Sequence, residues 1–131
     1  MILSLVLLFA LPAQALEPAW KFRTLNSAHF EVIHREDQKD LAKRYILAAE
    51  QARNVLRPIF SEMPEKTIIF LKDDTDSSNG LATFLPYPHI TIYPVLPSTL
   101  DSVDDYGDWI FEMVLHEYTH ILNMYPVHSF Y

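Results

Sequence analysis

His116-Glu117-Tyr118-Thr119-His120 sets two imidazoles four residues apart with a carboxylate beside the first. On a helix, residues four apart stack on one face. Both rings can then reach one metal ion, and Glu117 projects near enough to hold a water beside it. Two neutral histidine ligands and a carboxylate base are the donor set of zinc-assisted hydrolysis. The flanking residues Ile110, Met113, Val114, Leu115, Ile121 and Leu122 are apolar, so the helix must bury one face. A carboxylate buried there without a partner is costly, and a cation between the histidines removes that cost. The competing reading is a helix that buries two histidines as core residues. The expected assignment is Zn²⁺ held by His116 and His120, with Glu117 as the catalytic base.

Catalytic zinc takes three protein ligands and leaves one position open. No Asp or Glu follows Glu117, and the only later donor is His128. An HExxHxxGxxH extension would need glycine at 123 and histidine at 126, where the chain has Asn123 and Pro126. His128 lies two residues beyond that position and past the proline, and reads as a surface histidine. His29, His34 and His89 have no helix-set spacing to the motif and are not expected to be ligands. Aligned as a calcium loop from Asp74, the segment has Asn79 where glycine is required and Leu85 where a glutamate is required. Residues 73–80 therefore read as a polar turn, with Asn79-Gly80 making the reversal. Asp101, Asp104, Asp105 and Asp108 suit the start of the motif helix, where negative charge is favourable. There is no cysteine nucleophile, GxSxG or phosphate-binding loop.

The elements that would position this motif follow from periodicity. Trp20 to Thr24 and Ala28 to His34 alternate apolar and polar residues as strands do. Asp37 to Leu56 carries a helical stripe at Leu41, Tyr45, Ala48, Ala49, Ala52 and Leu56, stopped by Pro58. Thr67 to Leu71 reads as a buried central strand. Ala82 to Leu85 and Ile90 to Tyr93 read as short strands. Pro86, Pro88 and Pro94 around the second suggest a sheet edge. The motif helix is expected over Val103 to Met124, ended by Pro126. The expected fold class is α+β: one mixed sheet with two main helices.

Residues 1–15 read as a leader. Ile2 to Leu11 is an apolar run too short to span a bilayer, and Ala13-Gln14-Ala15 is a small-x-small cleavage pattern. No Lys or Arg precedes the run, so an uncleaved N-terminal anchor is the alternative. Either reading takes residues 16–131, enough for one small domain, out of the cytoplasm, to the periplasm or the exterior. The absence of cysteine excludes a disulfide framework and thiolate zinc sites. A net charge of −7 argues against nucleic acid as a partner.

Five stretches carry a family resemblance: 20–25 (Trp20 to Leu25), 28–32 (Ala28 to Val32), 79–83 (Asn79 to Thr83), 90–94 (Ile90 to Pro94), and Asp108-Trp109 through Leu122. On these the chain resembles the N-terminal lobe of gluzincin-type zinc peptidases, the thermolysin-like branch. More closely, it resembles exported bacterial peptidase MA-like proteins, which are often joined to a C-terminal TolB/WD40-type β-propeller. The resemblance implies an edge strand over the HExxH helix, His116 and His120 as zinc ligands, Glu117 as base, and a peptide or protein substrate. In that family the third ligand is a glutamate on a later helix, and no position of this sequence matches it. The chain is therefore expected to be an incomplete catalytic domain. A non-catalytic exported interaction module that keeps the HExxH helix is the alternative.

Overall fold

The structure is a computed structural model that describes residues 20–74, 79–95 and 103–128. The expected leader at 1–15 lies outside them, as does Asp101. Five strands form one mixed sheet in the order β1-β2-β3-β5-β4. They are β1 (Phe22–Asn26), β2 (Phe30–Arg35), β3 (Thr67–Leu71), β4 (Asn79–Thr83) and β5 (His89–Tyr93). Two helices, α1 (Lys39–Leu56) and α2 (Val103–His128), pack on one face of the sheet and against each other. The class is α+β, and among the described residues no helix is long and apolar enough to cross a membrane.

Alternation decides the layers. Phe30 and Val32 of β2, Ile69 and Leu71 of β3, and Ile90 and Ile92 of β5 turn inward and are fully or almost fully buried. They meet Tyr45, Ala49 and Ala52 of α1 and Ile110, Val114, Tyr118, Ile121 and Leu122 of α2 in one core. The alanines let α1 lie close to the sheet. Its buried set includes Ala42 and Ile46, while Leu41 is only partly covered. Arg35 and Glu36–Gln38 form the entry to α1, and the buried Gln38 side chain accepts the Arg35 N–H at 3.1 Å. The opposite sheet face holds Phe22 against Phe70, ring centroids 5.8 Å apart.

The turn between β1 and β2 is clamped to α1 by one carboxylate. Glu50 Oε1 accepts from the Ser27 hydroxyl at 2.6 Å and the His29 backbone N–H at 2.9 Å, while Oε2 lies 2.9 Å from His29 Nδ1. Burial alone would raise this carboxyl, but the hydrogen bonds from Ser27 and His29 outweigh it and hold it below the usual glutamate range. A depressed pKa stabilises the fold above the unfolded value, about 4.3, and that contribution disappears as pH falls through the folded value. Glu50→Gln is expected to cost about 1–2 kcal/mol at pH 7. In urea titrations at several pH values, the gap from the parent should narrow below about pH 4; a gap constant down to pH 3 would contradict this account.

Three sequence expectations need correction. β5 is not an edge: it pairs with β3 in parallel and with β4 in antiparallel fashion. Pro86, Pro88 and Pro94 flank β5 without entering it, so none removes a ladder N–H. The strand expected at Ala82 to Leu85 begins three residues earlier, and β4 is the edge. Helix α2 also runs two residues past Pro126. The fixed φ of proline is itself helical, and the missing N–H costs one bond near the helix end.

Candidate metal and catalytic site

Chain direction at the edge strand follows from one bond. Lys72 N–H donates to the Ile92 carbonyl at 2.9 Å, so Ile92 turns its backbone polar groups toward β3. Its β4 partner is Gly80, and the next inward pair is Ala82 with Ile90. In an antiparallel ladder such pairs exchange no bonds. Gly80 and Ala82 therefore point their N–H and C=O groups away from β5, toward the free edge. Asn79 Oδ1 takes the Gly80 N–H at 2.9 Å. Asn79 and Gly80 are thus extended strand and not the expected reversal, and Gly80 has no positive φ.

Helix α2 passes beside this edge, and the motif divides between its faces. His116 and His120 are exposed, whereas Glu117 is buried at 7 % exposure. The core-histidine reading therefore fails: the carboxylate goes inward and the imidazoles outward. His116 Nε2 and His120 Nε2 lie 3.1 Å apart, with ring planes at 78°. That separation is a hydrogen-bond distance between the two rings, and it lies close to the roughly 3.3 Å between two nitrogens bound tetrahedrally to one zinc ion. An open pocket of about 400 Å³ faces the rings, lined by Glu112, Leu115, His116, Thr119 and His120.

Glu117 lies directly under the edge strand. A Cβ built on Gly80 would fall 2.6 Å from Glu117 Cγ, 2.7 Å from Oε1 and 2.8 Å from Cδ. The next residue, Tyr118, is fully buried behind the motif. Its ring meets Phe30 edge-on with centroids 5.1 Å apart, and its hydroxyl accepts from Arg53 Nη1 at 2.7 Å. Arg53 Nη1 also donates to the Pro64 carbonyl at 3.1 Å. Burial pushes the Tyr118 phenol above its ordinary range, and Arg53 only partly offsets this. Arg53 thereby ties α1, the approach to β3 and the motif helix together.

The other candidates lie elsewhere. His29 pairs with Glu50; His34 is 3 % exposed on the inner face of β2, with Nδ1 2.6 Å from the Arg35 carbonyl; His89 Nδ1 lies 3.0 Å from the Tyr87 carbonyl. His34 is thus more enclosed than its strand pattern implies. Asp73 and Asp74 pair with Arg35 and Lys72, at 3.0 Å each, uses that suit surface ion pairs. Asp104, Asp105 and Asp108 fall in the first turns of α2, and His128 is its last residue. Among the described residues no group of three His, Cys, Asp or Glu side chains could hold a metal. Sequence reasoning missed Gly80, Arg53 and Tyr118. A glycine within a strand pattern is a recognisable sign of close backbone approach, whereas nothing in the sequence couples Arg53 to Tyr118. Comparison with protein-family models, curated proteins and solved structures found no match to this chain.

Proposed function

We propose that this chain carries the metal-binding and base-bearing part of an exported zinc peptidase with the lobe architecture of the gluzincins. The observation that carries the reading is the 3.1 Å approach of His116 Nε2 to His120 Nε2 on one helix face, with Glu117 tucked under a free strand edge. His116 and His120 would hold Zn²⁺ through Nε2. When bound, zinc supplies Lewis-acid stabilisation of charge on a peptide carbonyl oxygen and makes a water more acidic. Glu117, about 60–100° round the helix from the two histidines, would take a proton from a water held between the two faces and return it to the leaving amine. The outward C=O groups of Gly80 and Ala82 and the Ala82 N–H offer an extended peptide a strand to pair with, close to Glu117. The edge open to a substrate is thus β4, not the segment that the prolines marked as an edge.

A second reading has its own support: the third donor is missing among the described residues, which favours a non-catalytic module that retains the helix. Peptide-library hydrolysis and zinc titration of the whole chain and its Glu117→Gln variant separate the two. The expected result is zinc binding in both proteins with little or no hydrolysis, because two ligands hold the metal weakly and orient water poorly. Brisk turnover abolished by Glu117→Gln would show that another group completes the site. Failure of the chain to bind zinc would overturn the proposed function.

A further inference from the structure

We propose that Gly80 is the positioning residue for the Glu117 carboxylate, a point in β4 without a side chain where the strand closes onto the carboxylate and fixes its rotamer. This rests on Glu117 being the base. Glycine costs stability in a strand interior unless the backbone needs it. Gly80 has no positive φ, so conformational freedom does not explain it. Space does: a Cβ at this position would meet three Glu117 side-chain atoms at 2.6–2.8 Å, closer than such contacts allow. The other glycine, Gly107, has nothing within 4 Å of the position a Cβ would take. The glycine that the edge strand carries is therefore the one that faces the base.

Both sides of the contact are held. Gly80 is in register with Ile92, and its N–H is taken by Asn79 Oδ1. On the helix side, the turn bearing Glu117 is held by buried Val114, Tyr118 and Ile121, with Tyr118 bonded to Arg53. The Glu117 side chain therefore occupies the space beside Gly80 that a Cβ would need. An alanine at 80 would force Glu117 into another rotamer or lift the edge strand. Neither change touches the histidine pair, which is exposed beside its own open pocket.

The test uses the whole chain as parent, Gly80→Ala, Glu117→Ala and the double variant. In urea unfolding, Gly80→Ala should lower the folding constant about ten-fold or more beside Glu117, and less than about three-fold in the Glu117→Ala background. A Gly80→Ala chain that folds only when Glu117 is also truncated is the same result at its extreme. Carbon NMR supplies a readout that a general strand defect would not move. The Glu117 Cγ and Cδ resonances should shift in Gly80→Ala, while the His116 and His120 ring carbons keep the parent's response to added Zn²⁺. Equal costs in both backgrounds, or unmoved Glu117 carbons, would overturn the proposal even if zinc binds. Ring carbons of the parent that ignore Zn²⁺ would instead overturn the metal reading and with it the base assignment, although the Gly80–Glu117 coupling would remain measurable.

Discussion

Truncating Tyr118 to alanine is expected to cost about 3–5 kcal/mol, the range for removing a fully buried aromatic side chain. The residue is completely enclosed, packs edge-on against Phe30 and accepts the Arg53 hydrogen bond. A domain of this size has roughly 5–15 kcal/mol in total, so the variant would lose about a fifth of its stability or more. Tyr118→Phe keeps the ring but removes the acceptor, and about 1–3 kcal/mol should follow from the guanidinium left with one partner fewer. The two variants also separate in alkali. Because burial raises the phenol above its unfolded value of about 10, Tyr118 stabilises the fold below that pH. The contribution fades as pH climbs through the folded value. Urea titrations should show this alkaline loss in the parent and not in Tyr118→Phe. A Tyr118→Ala protein as stable as the parent would mean that the motif helix is not anchored through its back face.

The second large effect concerns the outward face. Replacing His116 or His120 by alanine removes one of the two imidazoles proposed to hold a metal. Loss of a supporting hydrogen bond around a metal ligand already costs 10–100-fold in affinity, so loss of a ligand should cost at least about 100-fold. Isothermal titration with Zn²⁺ measures it directly. Both single variants should lose the response while keeping the parent's urea midpoint, because the rings are exposed and carry little of the core. If one variant still binds zinc as the parent does, the 3.1 Å pair is not the metal site. If both lose stability together with binding, the histidines are packing residues.

Much of the scaffold could be read in the residues. β3 was legible to the residue at Thr67–Leu71 because a short β-branched run has few alternatives. The helices α1 and α2 were legible from their stripes. What misled was proline: residues that bracket a strand leave its ladder intact, so Ile90 and Ile92 could lie deep in the sheet. Asn79-Gly80 carries the usual turn signature, and the packing of Glu117 against the glycine overrode it. The face shared by His116 and His120 followed from helical spacing alone. The inward placement of Glu117, and its contact across more than thirty positions of chain with Gly80, depended on which strand ended up outermost. Spacing within a motif does not encode that.

The way β4 ends the sheet also bears on self-association. An open strand edge invites pairing with another copy, and open-ended pairing produces aggregates. Here the edge strand spans only Asn79–Thr83, and its first outward donor is already taken by the side chain of its neighbour. A second sheet arriving at that edge would find a short ladder and a donor it must first uncover, so lateral growth from copy to copy is disfavoured. One short, extended segment needs far less. The short ladder that can seat a single guest strand thus discourages the protein from becoming its own guest.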